Sequence, residues 1–359
     1  MTRHRATLGA AVVLLIALVV IGSQLRVPYV ILLPGPVTDT LGTVPADESV
    51  NGAAGKPVIS ISGAATHQSG GHLYLTTVLE QPGDCNAQPT LWQAVKAWFS
   101  STQTVDPKQV ICAPGESNAA VQRAGVQQMQ QSQQDAVTAA LFELGKHPSS
   151  EHVSVGSVEA QTAAGNVLRP GDVIVSIDGT AVHTLAQIRA ALQSHQPGDS
   201  VRVGFRRGDS LQSASIRLAR GTGSRAIIGF VPDRVATFPQ VHVSIGIDPN
   251  AVGGPSAGTA LALGIIDKLT PGGLTGGRTI AGTGTVDGFG HVGPIGGIQQ
   301  KVAGAVKAGA TVFFAPASEC GDAKAAAPSS LTLVRVQTLH QAVQALRAIK
   351  AGSNAFPHC

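Results

Sequence analysis

The feature that most constrains this chain lies at its start. Arg3, His4 and Arg5 precede an apolar run from Ala6 to Ile21 that continues through Gly22-Ser23 to Leu25. About 18 apolar residues is near the lower limit for a bilayer-spanning helix, so this segment cannot join a water-exposed fold without cover. Two readings compete: an uncleaved anchor, or a signal peptide with a charged start and an apolar core. The length of the core and the lack of a clear Ala-x-Ala site favour the anchor. Either reading exports the rest of the chain, and the charges at residues 3–5 against a lone Arg26 favour a cytoplasmic N-terminus. The expectation is a single-pass membrane protein with the bulk of the chain extracytoplasmic.

Cysteine usage agrees with export. Cys85, Cys112, Cys320 and Cys359 include no Cys-x-x-Cys pair, and an even number outside the cytoplasm suggests two disulfides. Three connectivities are possible; sequence proximity favours Cys85 with Cys112 and Cys320 with Cys359. Only 13% of the 359 residues are charged and the net charge is +4, without any basic run longer than Arg206-Arg207. Two Trp and two Tyr leave little surface for stacking bases, so no nucleic-acid partner is expected. The eleven histidines include no His-Glu-x-x-His, and neither a catalytic metal nor a cofactor is expected.

Beyond the anchor, Pro34-Gly35-Pro36 reads as an extended connection. Strands are expected at 58–62 and 73–79, with helices at 91–99 and 117–144, the second ending at Gly145. A different pattern begins at Val153: a strand, Leu168-Arg169-Pro170-Gly171-Asp172, a strand from Val173, the Asp178-Gly179 turn, a helix at 185–194 and strands at 200–206 and 213–218. Over about 75 residues, most specifically in "LRPGDVIVSIDGTAV", this resembles a PDZ domain. The resemblance implies binding of an extended peptide or chain terminus by β-augmentation, between a strand and the helix. There is no Gly-Leu-Gly-Phe loop before Val153 to hold a carboxylate.

Gly221-Thr222-Gly223 reads as a boundary, and strands then alternate with helices in an α/β pattern. Within it, Gly253-Gly254-Pro255-Ser256-Ala257-Gly258 precedes the helical run from Thr259 to Leu269. That places Ser256 where a helix N-terminus can stabilise an oxyanion, through backbone amides such as those of Gly254, Ser256 and Ala257. For an isolated serine, an N-cap is the commoner role. A serine hydroxyl also needs a base, and Lys301 stands 45 residues later, beside an apolar stripe of Ile298, Val302 and Ala305. Desolvation there would lower its pKa; a lysine snorkelling from a half-exposed helix is the plainer alternative.

The ordered set "GGPSAGTALALGIIDKLT", "IAGTGTVDGFGHVGPIGGIQQK" and "AGATVFFAP" resembles the proteolytic domain of the Lon family. The resemblance implies a Ser–Lys dyad of Ser256 and Lys301, with Thr283 as a hydroxyl that helps hold the lysine amine. Gly253 stands where many Lon proteins carry Asp. No Gly-x4-Gly-Lys-Ser/Thr occurs, so an ATP-driven motor is not part of this sequence.

Anchor, PDZ unit and Lon-type domain in that order resemble the bacterial YlbL-like PDZ–Lon proteins. "HLYLTTV" and "MQQSQQDAVTAALFELG" are similar to the first strand and helix of Lon proteolytic domains, which implies a PDZ domain inserted within the protease. The expected organisation is a tip and anchor at 1–25, a connection at 26–57, and the first part of a Lon-type α/β (α+β) domain at 58–145. The PDZ domain is then expected at 146–220, the catalytic part at 221–350 and a tail at 351–359. An ATP-independent serine endopeptidase acting on protein or peptide substrates is expected, and Lon-type domains suggest a homo-oligomer.

Two other readings come from the residues. A PDZ scaffold with an inactive protease-like domain would have no chemical need of Ser256, Thr283 and Lys301 together. An esterase could be built from Gly254-x-Ser256-x-Gly258 with Asp322 and His340. Gly288-x-Gly290-x-x-Gly293 fits a dinucleotide pattern without the strand and helix that the pattern requires.

Overall fold

A computed structural model describes residues 2–44, 55–112, 115–159, 161–221, 223 and 225–359, with backbone alone for 2–10. Part of the expected anchor, the later part of the expected connection and Thr222 of the expected boundary therefore lie outside the described residues or side chains.

Helix α1 covers Thr2–Gln24. Among the described residues, no helix is long and apolar enough to cross a membrane. Strand β1 comes next at Tyr29–Asp39, then β2 at Ile59–Ser62 and β3 at His72–Gln81. Helix α2 spans Leu91–Trp98 behind a Thr90–Gln93 capping box, and β4 is Thr104–Pro107. The long helix α3, Asn118–Glu143, starts from a Ser117 cap whose hydroxyl accepts from the Ala120 amide.

The next elements form a second body. They are β5 (Ser150–Val158), β6 (Val173–Ile177), β7 (Thr180–Ala181), α4 (Leu185–Leu192), β8 (Ser200–Arg207) and β9 (Ser210–Arg217). The short β10 (Ala219–Arg220) pairs with β11 (Ala226–Ile227), and β12 covers Phe230–Thr237. The sheet order is β12-β5-β6-β8-β9 with β7 on β6. Its core holds Val153, Ile174, Val203, Phe205 and Ile216 against Ile188 and Leu192 of α4. At the β6–β7 turn Asp178 has φ 48° and Gly179 φ 83°, the positive pair that a tight two-residue hairpin needs.

The chain then returns to the first body. Strand β13 (His242–Ile245) pairs with β2; next come α5 (Gly258–Leu269), β14 (Thr279–Gly282), β15 (Thr285–Val286) and β16 (Val292–Gly293). Helix α6 (Ile298–Lys307), β17 (Val312–Pro316), α7 (Cys320–Ala326), β18 (Thr332–Val336) and α8 (Leu339–Lys350) complete it. The main sheet runs β18-β17-β14-β3-β1-β4, parallel from β18 to β3 and antiparallel beyond. It therefore joins strands from both sides of the second body.

Alternation along β17 gives the layers. Phe314 packs with α5 and α8 on one face of the sheet, while Phe313 packs with Ile298, Val302 and Ala323 of α6 and α7 on the other. Helix α5 is apolar all round and sits buried between the sheet and α3, which is what places Ser256 at the edge of a rigid core.

Two expected boundaries differ from the structure. The connection at 26–57 includes β1, whose Val30, Ile31 and Leu32 are buried. Pro34-Gly35-Pro36 lies within β1 and makes a bulge between Pro34 and Val37. Gly35 is required there because a Cβ would lie 2.3 Å from Thr77 Oγ1. The second body runs past residue 220, because β12 pairs with β5 along its length.

Candidate active site and peptide groove

The segment ahead of α5 is shaped by two close approaches. Gly254 has φ 85°, and its amide donates to the Gly125 carbonyl of α3 at 3.0 Å. Gly258, the first residue of α5, has Val286 Cγ1 at 2.8 Å and Ser132 Oγ at 3.0 Å from where a Cβ would stand. Ser132 Oγ donates to the Pro255 carbonyl at 2.9 Å. Helix α3 thus holds the loop from behind on both sides of Pro255.

Ser256 is half-buried in the turn before α5, and the N-cap position belongs to Ala257, with no side-chain cap bond. The hydroxyl of Ser256 is therefore not occupied as a helix cap. Its carbonyl accepts from the Gly284 amide at 3.1 Å and from Thr283 Oγ1 at 3.2 Å. Thr283, expected to help hold the lysine amine, donates its hydroxyl to the Ser256 carbonyl and so braces the backbone of Ser256. The oxyanion expectation also changes at one residue. The Gly254 amide is engaged by Gly125, whereas the Ser256 and Ala257 amides carry no hydrogen bond among the described residues.

Lys301 lies one turn into α6, behind Gly297, whose φ of 66° lets the chain enter the helix beside Val78. The side chain is only 3% exposed. Burial pushes the amine down to about 8, while the Glu319 carboxylate pulls the other way. Glu319 was not expected from the sequence. Its Oε1 accepts from the Ile295 amide at 2.6 Å, fixing the Pro294–Gly297 approach to α6. Its position directly after strand β17, beside Cys320, was the available signal.

Ser256 and Lys301 line one cleft of about 790 Å³, with apolar walls from Val78, Leu79, Val110, Ile111 and Ile295. Cys85–Cys112 and Cys320–Cys359 form the two disulfides; the first fastens the segment carrying Val110 and Ile111, the second lies beside Glu319. His340 does not line this cleft and pairs with Glu143 Oε1 at 2.9 Å. No strand leads into Ser256, since β13 ends at Ile245. The esterase arrangement is therefore absent. Residues 288–293 form the turn and return strand of the β15–β16 hairpin, not a strand-to-helix phosphate loop.

In the second body a groove of about 770 Å³ separates α4 from residues 225–232, with Ile188 and Leu192 facing Ile227, Ile228 and Phe230. The strand beside this groove is β12, well downstream of Val153. The amides of Ile228 and Gly229 at its head carry no hydrogen bond among the described residues.

Comparison with known proteins finds the same two domain types, with the join drawn before β11 and β12. Residues 125–218 match the PDZ domain family, and residues 225–348 match the Lon protease (S16) C-terminal proteolytic domain. Lon protease 1 of Sorangium cellulosum is 34% identical over 151 residues, covering 41% of this chain and 18% of that protein. The Lon protease of Mycolicibacterium smegmatis is 27% identical over 210 residues, covering 54% of this chain and 25% of its own. The chain therefore spans a quarter or less of the length of these relatives. Among solved structures, the PDZ domain of an SdrC-like protein from Listeria monocytogenes is 31% identical, with a TM-score of 0.22, covering 22% of this chain and 85% of that one. The chain thus carries a region that matches the PDZ domain family, followed by one that matches the proteolytic domain of the Lon-type serine peptidases.

Proposed function

We propose that this protein is an ATP-independent, membrane-anchored serine endopeptidase with Ser256 as nucleophile and Lys301 as general base. The observation that carries the reading is the pairing of opposites in one cleft. A serine at a helix entrance lines the same cleft as a buried amine whose pKa is brought to about 8. Neutral Lys301 takes the proton as Ser256 Oγ attacks the peptide carbonyl carbon, and the Ser256 and Ala257 amides receive the oxyanion. Lys301 returns the proton to the leaving amine, and water then hydrolyses the acyl-enzyme by the same route in reverse.

The PDZ groove would bind an extended chain end, adding a strand to β12 with apolar side chains between α4 and Phe230. The apolar run from Ala6 to Ile21 behind Arg3 and Arg5, and the two disulfides, support an anchored, extracytoplasmic placement. Without a nucleotide motif in the sequence, substrates must already be unfolded or carry loose ends. The test is hydrolysis of an unstructured protein without ATP. Ser256→Ala is expected to lower kcat by more than ~1,000-fold; undiminished hydrolysis, or a requirement for ATP in the wild type, contradicts the proposal.

A further inference from the structure

Two acidic side chains outside the cleft are buried against each other where the PDZ sheet meets the proteolytic body. Asp135 of α3 is 7% exposed and Asp233 of β12 is 6% exposed. Gln131 Nε2 donates to Asp135 Oδ1 at 2.7 Å and to Asp233 Oδ2 at 3.4 Å. Asp233 Oδ1 also accepts from the Gly288 amide at 2.8 Å and the Arg234 amide at 2.7 Å. Asp233 thus has the donors that suit a carboxylate, while Asp135 has one donor and a carboxylate neighbour.

No cation neutralises the pair among the described residues. Arg234 is the nearest candidate, but its Nε is 3.0 Å from Glu151 Oε1, and its guanidinium lies between the rings of Phe142 and Phe289. Asp287, in the β15–β16 turn, adds like charge, and its own partner is His291 at 2.7 Å. Two buried carboxyls in contact do not both ionise cheaply, so one of them retains its proton.

The location gives this proton a mechanical meaning. Gln131 adjoins Ser132, which holds the Pro255 carbonyl, and Gly125 of the same helix holds the Gly254 amide. On the other side, β12 is the strand that walls the peptide groove. We propose that Asp135 and Asp233 are a positioning pair for Ser256: one proton held between them clasps β12 to α3, and α3 fixes the backbone on which Ser256 stands. The inference rests on the peptidase reading for its activity readout.

Burial, and then the Asp233 charge, push Asp135 up to about 9. The clasp is closed at neutral pH and opens in alkali, when two carboxylates face each other. Lys301 must lose its proton near pH 8 to act as base, so kcat of the wild type should rise through that pH and fall again above 9.

The experiment is a pH profile of kcat and KM for the full chain and for Asp135→Asn, whose amide donates to Asp233 at any pH. Between pH 8 and 10 the wild type should lose about 10-fold in kcat at constant KM, and the variant should not. Asp233→Asn, which leaves no second carboxylate to oppose an ionised Asp135, should lose the alkaline limb as well. Retention of the wild-type limb in both variants, or a kcat loss uniform across pH, overturns the proposal.

Melting supplies a readout that needs no activity. A carboxyl whose pKa is raised on folding contributes stability that is present below about 4 and lost as pH rises toward 9. The melting temperature of Asp135→Asn should therefore gain on wild type between pH 5 and 9. Absence of hydrolysis at every pH would sink the peptidase reading alone; the clasp would then stand on that gain or fall on its absence.

Discussion

Each of the two bodies buries a charge, and the two do so in opposite ways. In the PDZ domain Asp172 is 1% exposed, yet Arg207 donates to it through Nε at 2.8 Å and Nη2 at 2.7 Å, and the Arg169 amide adds a third bond at 2.8 Å. In the proteolytic domain Lys301 is 3% exposed and its amine has no hydrogen bond among the described residues. The first charge is neutralised in place and ties the Pro-Gly-Asp turn to β8. The second is left under-compensated, so its proton is easily lost. Burial alone does not distinguish a structural ion from a catalytic one; the partners do.

That contrast breaks most sharply at Lys301. Lys301→Met should lower kcat by about 1,000-fold or more through loss of the base. It should also stabilise the fold, because a buried amine with a depressed pKa is a burden wherever it is charged. A shift from 10.5 to about 8 corresponds to about 3 kcal/mol. Linkage sets the sign: the wild type regains that stability as pH rises from 8 to 10.5. Denaturant melts of variant and wild type at pH 7 and pH 10.5 should show a gap that closes at the higher value.

A smaller effect is expected where the cleft wall is fastened. Cys85 and Cys112 close a loop with a sequence separation of 27. Replacing both by serine should cost about 3 kcal/mol by the chain-entropy estimate. Because Val110 and Ile111 line the cleft, KM should rise more than kcat falls, which steady-state kinetics on an unstructured peptide would report. Smallest of the three is Asp172→Asn. It should lower the PDZ domain's melting temperature on the order of 5 °C, while leaving hydrolysis of a short peptide at Ser256 unchanged. Calorimetry and the same kinetic assay separate the two readouts.

Local chemistry made part of this legible in the sequence. Asp178-Gly179 demands a hairpin whatever surrounds it, and the glycines around Ser256 mark a loop pressed against neighbours. The proximity of Ser256 and Lys301 was implied by the resemblance of three ordered segments, which is information about the fold and not about either residue alone. What escaped depends on distant partners. Pro34-Gly35-Pro36 reads as part of an extended connection until β3 pairs with the residues on both sides of it. The role of β12 in the PDZ sheet is set by pairing with β5, some 80 residues earlier in the chain. The bond from the Thr283 hydroxyl to the Ser256 carbonyl depends on how the two segments meet in space and has no signal in the sequence. Gly254 was counted as an amide donor before Gly125 was known to be its acceptor.

The most direct test of the central claim is the pH dependence of Ser256 acylation by a serine-reactive probe, read by intact-protein mass spectrometry. The wild type should label at Ser256 with a rate that rises about 10-fold per pH unit below 8 and levels between 8 and 9, as Lys301 loses its proton. Lys301→Met should label at a low rate without that dependence, and Ser256→Ala should not label. A wild-type rate that is flat between pH 6 and 9, or labelling of Lys301→Met at the wild-type rate, would contradict the assignment of Lys301 as the base.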